Sequence, residues 1–307
     1  MKKIIDFNAN GKLLLTGEYL VLEGANALAL PVRFGQQIHI EETSSRVLEW
    51  ESSDTSGTWF KAVYDPDRLL INSADRKKTA AGLQKVLLAA RKLNPGFLKG
   101  PCGWNVHVTA NYPLEWGLGS SSTLCSLIAS WADVPVFELF HLLSTGSGYD
   151  IACAGRKGLI FYRLNKGRPE ISPARPGKAL RENTWFAYLG NKQDSAMEVS
   201  RFLERQNYSK IDMVEISRLS SAICNAESPE DLIKFADEHE FILSTILQRD
   251  PIAKRFPSFP GTVKSLGAWG GDFAMFISGL KSDVVVKHLF KLGLSHVFSY
   301  NDLAIKA

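Results

Sequence analysis

From Trp104 to Ala110 apolar and polar residues alternate: Trp104, Val106, Val108 and Ala110 fall on one face, and Asn105, His107 and Thr109 on the other. A period of two predicts a half-buried strand. Downstream the period changes. Leu124, Leu127, Ile128 and Trp131 recur at i, i+3, i+4 and i+7, which predicts an amphipathic helix over 123–131. The same reading puts strands at 12–15, 27–30, 36–40, 185–189, 273–277 and 296–300, and helices at 80–93, 135–143 and 282–292. Three more helix starts carry N-cap signals: Ser195 with Glu198, Ser209 with Asp212, and Ser228-Pro229 with Asp231. A stretch rich in Pro, Gly and charge at 165–183 predicts a connector. Strands mixed with helices on both sides of it predict an α+β protein of two domains.

Between the strand and the helix lies Pro113-Leu114-Glu115-Trp116-Gly117-Leu118-Gly119-Ser120-Ser121-Ser122. A glycine turn at a helix N-terminus is a ready anion site, because unpaired N–H groups and the helix dipole face the same space. The serines add hydroxyls for a phosphate or a magnesium ion. No Lys precedes the Ser/Thr as in a Walker A loop, and the third glycine of a dinucleotide fingerprint is missing. A plain Gly/Ser turn with an ordinary cap is the alternative. A second loop, Gly146-Ser147-Gly148-Tyr149-Asp150, delivers one carboxylate to the edge of an apolar run. Such a carboxylate can accept a proton from a substrate hydroxyl, or it can merely N-cap the next helix. A third segment, Lys264-Ser265-Leu266-Gly267-Ala268-Trp269-Gly270-Gly271-Asp272, reads as backbone folded tightly against something, or as a turn between strands.

Composition narrows the function classes. The chain has 307 residues, 45% hydrophobic, a net charge of +4 and a pI near 8.8. Its basic residues are scattered with no basic-aromatic stripe, which argues against nucleic acid, while the mild positive bias suits a small anionic substrate. Cys102, Cys125, Cys153 and Cys224 stand far apart without a CxxC pair and read as reduced thiols. The start, Met1-Lys2-Lys3-Ile4-Ile5-Asp6, lacks an apolar leader and no run reaches membrane length. The expectation is a cytoplasmic enzyme, monomer or homodimer, with no membrane partner.

With these loops in view, the chain resembles the GHMP small-molecule kinases. Gly11-Lys12-Leu13-Leu14-Leu15-Thr16-Gly17-Glu18-Tyr19 with Ala27-Leu28-Ala29-Leu30-Pro31 is similar to their first motif, 117–122 to their second, 267–271 to their third, and Ser147-Gly148-Tyr149-Asp150 to the loop of their catalytic Asp. Four signatures in family order span nearly the whole chain. Thr16-Gly17-Glu18-Tyr19, Gly190-Asn191-Lys192-Gln193 and Asp272 look most like the mevalonate and phosphomevalonate kinase branch.

The resemblance implies a two-domain fold, ribosomal protein S5 domain 2-like over 1–168 and ferredoxin-like over 169–307. It implies ATP and Mg2+ as cofactors. Asp150 would be the base and Lys12 its cationic neighbour, with Gly117, Leu118, Gly119, Ser120, Ser121, Ser122, Gly267, Ala268, Gly270 and Gly271 around the nucleotide. Ser121 and Glu138 would serve the metal, and Glu18, Tyr19, Lys192 and Ser195 the acceptor. That acceptor would be mevalonate or phosphomevalonate. A sugar or amino alcohol, and a ligand-binding regulator that no longer turns over, are the alternatives. Leu266 and Trp269 depart from the family's third motif, and Trp269 would either cover the site or pack into the core.

Overall fold

The computed structural model describes residues 3–190, 195–205, 207–269 and 271–305, leaving aside the side chains of residues 195 and 196. The chain is mixed α+β, and its contacts group it into two compact units. One comprises Met1–Gly11, Phe34–Leu114 and Leu118–Arg156; the other comprises Lys12–Arg33, Glu115–Gly117 and Lys157–Ala307.

Strands β1 (Ile4–Thr16) and β2 (Ala27–Thr43) each contribute to both units. In the first unit they are joined by β3 (Leu48–Asp54), β4 (Gly57–Tyr64), β5 (Ile71–Ala74) and β6 (Gly103–Ala110). The order is β5-β4-β3-β6-β2, with β1 also paired to β2. β6 runs antiparallel to β2, from Gln36 opposite Ala110 to Thr43 opposite Gly103, and parallel to β3. The alternation on β6 is realised: Val106 and Val108 are buried, His107 and Thr109 exposed. One expectation is corrected here. Residues 27–30 and 36–40 are one strand, because Pro31 falls between the β7-paired 27–29 and the β6-paired 36–43, where neither ladder uses its missing N–H.

Four helices complete this unit: α1 (Lys77–Leu93), α2 (Ser120–Ala132), α3 (Val136–Leu143) and α4 (Tyr149–Ala154). Ala80, Leu83, Leu87 and Ala90 make a buried stripe along α1. Its core packs that stripe with Ile38, Trp50 and Phe60 of the sheet and Leu127 and Ile128 of α2.

The second unit begins with β7 (Ile160–Asn165) and β8 (Arg168–Pro173), turned by Lys166 and Gly167, both at positive φ as a tight hairpin requires. The connector expected at 165–183 is therefore half of a hairpin followed by α5 (Lys178–Glu182), a correction of that reading. Then come β9 (Thr184–Tyr188), α6 (Ser195–Arg205), α7 (Lys210–Cys224), α8 (Pro229–Leu247), β10 (Thr262–Ser265), β11 (Phe273–Ile277), α9 (Ser282–Lys291), β12 (Val297–Ser299) and α10 (Tyr300–Leu303). The sheet order is β10-β11-β9-β12. Ser209 and Asp212 form a capping box on α7, and the Ser228 side chain caps α8 with Pro229 in its first turn. The strand expected at 296–300 is shorter, because Ser299 caps α10 by accepting from Asp302 N.

Candidate functional site

In the first unit, α2 starts at a glycine. Gly119, at φ +90°, is its N-cap, and the Ser122 and Thr123 N–H groups turn back to the Gly119 carbonyl at 3.0 Å each. Thr123 Oγ1 donates to Gln36 Oε1 at 2.6 Å and ties the first turn to β2. With no side chain on the cap, the leading N–H groups face outward without a built-in acceptor. Gly117 also has positive φ (+67°), so positive φ recurs at alternate residues of the loop. Glycines at positive φ are a recurring backbone feature of anion-binding turns. Ser120 is half-buried, Ser121 exposed and Ser122 buried.

Ser122 faces the second loop. Its hydroxyl donates to Asp150 Oδ2, and Ile151 N donates to Asp150 Oδ1 at 3.0 Å. Asp150 is half-buried, the second residue of α4, and Gly148 at φ +80° is that helix's N-cap. The N-cap alternative for Asp150 is thereby corrected in position, since Gly148 is the N-cap, although the Asp150 carboxylate still accepts one N–H of the helix's first turn. Sequence reasoning grouped Ser122 with the loop and missed its bond to Asp150, for which the chain carries no local signal across 28 residues. Burial pushes the Cys125 thiol, one turn further along α2, up to about 12, with the Asp150 charge the next cause.

In the second unit, Lys12 on β1 is half-buried and its Nζ donates to the Gly117 carbonyl at 3.2 Å. Asp272, at the end of the third glycine segment, presses on the same residue: a Cβ on Gly117 would lie 1.8 Å from Asp272 Oδ2. Glycine is thus required at 117 both for φ and for space. Trp116, immediately before, is buried edge-on against Phe273 and Phe298.

The third segment joins β10 to β11, as its turn reading expects. Gly267 has φ +59°, Ala268 is half-buried and Gly271 buried. Trp269 is buried in a core with Leu20, Phe202 and Leu243, which decides between its two readings in favour of packing. Glu18 and Tyr19 are buried as well: the Glu18 carboxylate accepts from Lys264 Nζ, and Tyr19 packs on Phe202 with ring centroids 5.2 Å apart. Lys192 and Gly270 lie outside the described residues, and so does the side chain of Ser195.

For a magnesium ion the chain offers Ser121 and Glu138, the latter exposed in the first turn of α3. Among the described residues no group of three or more His, Cys, Asp or Glu side chains comes close enough to hold a metal. A magnesium ion commonly takes one or two ligands from the protein and the rest from water and substrate phosphates. All four cysteines are free thiols, and among the described residues no helix is long and apolar enough to cross a membrane.

Solved structures share this fold. L. major mevalonate kinase, in complex with R-mevalonate, superposes with a TM-score of 0.69 at 16% identity over 99% of this chain and 97% of that one. Streptococcus pneumoniae phosphomevalonate kinase, in complex with phosphomevalonate and AMPPNP, gives 0.71 at 17% identity over 96% and 99%. Lactococcus lactis galactokinase, complexed with galactose, gives 0.63 at 12% identity over 99% and 94%. No family model matches the sequence, and no curated protein matches it.

Proposed function

Because the chain has the fold of the GHMP small-molecule kinases, we propose that it transfers a phosphoryl group from ATP to a small anionic acceptor, with mevalonate or phosphomevalonate as that acceptor. One observation carries the reading: a carboxylate bonded to a serine of the glycine-started helix, Asp150 to Ser122. The choice of acceptor rests on the likeness of Thr16-Gly17-Glu18-Tyr19, Gly190-Asn191-Lys192-Gln193 and Asp272 to the mevalonate branch.

Phosphoryl transfer depends mainly on positioning and on stabilising charge. The N–H groups from Gly117 to Ser121 hold the phosphates of ATP, the Ser122 N–H being taken by the Gly119 carbonyl, and the N-terminus of α2 adds its partial positive charge. The resemblance adds Gly267, Ala268, Gly270 and Gly271 of the third segment to the residues we assign to the nucleotide. Lys12, fixed at the Gly117 carbonyl, offsets negative charge on the group in transfer. Asp150 accepts from Ser122 and Ile151, so both its contacts leave it an acceptor that takes the proton of the acceptor hydroxyl. Ser121 and Glu138 are the residues that would hold magnesium, and its charge would neutralise phosphate oxygens. To Lys192 and Ser195 we assign the acceptor's phosphate or carboxylate, on the resemblance alone.

The division into an S5-like 1–168 and a ferredoxin-like 169–307, a cytoplasmic setting and a monomeric or homodimeric state belong to the same proposal. The test is acceptor-dependent ATP consumption. Turnover with mevalonate or phosphomevalonate and not with galactose or homoserine supports the proposal; equal turnover with galactose moves the acceptor to the sugar class.

A further inference from the structure

Buried polar side chains in the second unit converge on one turn. β1 ends at Thr16, and Leu20 N then donates to Glu18 O at 2.6 Å across Tyr19, whose φ of 61° and ψ of −50° define a γ-turn of positive φ. That form is rare and strained, and an aromatic residue keeps it only where its surroundings over-determine it. The surroundings do so here. His239 Nε2 accepts from Gly17 N at 3.1 Å, and Lys264 Nζ donates to Glu18 Oε1 at 2.5 Å and to Ser265 O at 2.9 Å. Glu18, His239 and Lys264 are each fully buried.

The donors and acceptors place the protons. His239 Nε2 takes a backbone N–H and so carries no proton of its own, leaving the ring neutral with hydrogen on Nδ1. Glu240 receives Ser265 Oγ at 2.8 Å, Ser265 N at 3.1 Å and Ile252 N at 3.2 Å, the donor set of an ionised carboxylate. Glu18 receives Lys264, while its Oε2, 3.5 Å from His239 Nε2, has no donor among the described residues. One buried cation faces two carboxylates, and a second bare anion there is costly. The extra proton therefore sits on Glu18. Burial pushes Glu18 up to about 7 against the opposing pull of Lys264, raises Glu240 and lowers His239 well below its ordinary range. Tyr19, beside Glu18, is pushed up to about 12 by burial and then by Glu198, with Arg249 opposing, so it stays a neutral phenol.

We propose that Glu18, His239 and Lys264 are positioning residues that clamp the strained Gly17–Tyr19 turn at the end of the strand carrying Lys12, with the proton held on Glu18 and off His239. The positioning role rests on the kinase reading above; the proton placement does not.

Two variants separate the parts. Between pH 4.5 and 6.5, the ordinary Glu and His values, an unfolded chain has Glu18 ionised and His239 charged, whereas the folded one has both neutral. The counts match, so this pair adds no pH dependence to wild-type stability there. In His239→Gln only Glu18 remains. Its raised value makes stability fall as pH rises from 4.5 towards 7, the unfolding constant growing up to about tenfold per unit. In Glu18→Gln only His239 remains, and stability falls instead as pH drops below 6.5. Slopes of opposite sign relative to wild type, from urea unfolding at several pH values, are the expected result. Slopes of the same sign overturn the proton placement. A carboxyl carbon titration of Glu18 by NMR in the wild-type chain, with a midpoint near 7, checks it without any substitution. For positioning, kcat in the wild type should fall as pH passes 7 and Glu18→Gln should remove that limb, while Lys264→Met lowers kcat at every pH. A Glu18→Gln variant that raises the acceptor KM and keeps the limb overturns positioning and makes Glu18 an ionised acceptor contact. Absence of acceptor-dependent turnover in the wild type removes the kinase reading and the positioning role together, and leaves the opposite slopes to establish the proton placement.

Discussion

Replacing Asp150 by Asn tests the proposed base with little disturbance of the fold. Asn keeps an oxygen for the Ile151 N–H, and its NH2 meets Ser122 Oγ, which turns from donor to acceptor. Both contacts thus survive as hydrogen bonds, and α4 keeps its cap at Gly148. A neutral hydrogen bond contributes on the order of 1 kcal/mol, so the stability change should stay within about 1 kcal/mol. ATP affinity should be near wild type. The proton acceptor is gone, however, and removing a general base lowers turnover by roughly 10² to 10⁴. At about 1.4 kcal/mol per decade, that is a barrier increase of about 3 to 5 kcal/mol against a stability change several times smaller. Steady-state kinetics with the acceptor, calorimetric ATP binding and urea unfolding on one preparation read all three quantities. Turnover within about threefold of wild type, with the fold intact, would remove Asp150 from the mechanism.

Lys12→Met should also lose turnover, and the double variant with Asp150→Asn should be little worse than either single, because residues that act as a unit are not additive; multiplied losses in kcat would refute that. Gly119→Val should abolish ATP binding by calorimetry, since valine disfavours φ +90° and its side chain would occupy the place of the phosphate; unchanged affinity would count against the loop. Gly17→Ala should destabilise the fold by roughly 1 to 3 kcal/mol in urea unfolding, because its Cβ would lie 2.7 Å from Ala27 Cβ at φ +80°.

Much of the fold is legible in the sequence where periodicity and caps agree. The β6 alternation, the α2 stripe, the Ser209 and Ser228 caps and the buried run from Phe273 to Ile277 are examples. Strands β3 to β5 are not legible. Glu49 and Glu51 alternate with Leu48 and Trp50, but the turn at 55–56 and the irregular stretch 65–70 break the region into short pieces, paired to each other and to the distant β6. The hairpin at β7 and β8 hides behind Pro169, Pro173 and its charges, which its exposed edge strand tolerates. The glycine loop and Asp150 are legible because glycine and an isolated carboxylate mark themselves. Lys264, His239 and Glu240 are not, because a buried charge cluster is assembled from residues far apart in the chain and no local pattern announces it.

Acceptor-dependent ADP release by the purified wild-type chain, with magnesium-ATP and mevalonate, phosphomevalonate, galactose or homoserine in turn, puts the kinase reading to its most direct test. The expected result is release with mevalonate or phosphomevalonate and background alone with the others. Release that no acceptor raises above background would contradict phosphoryl transfer by this chain.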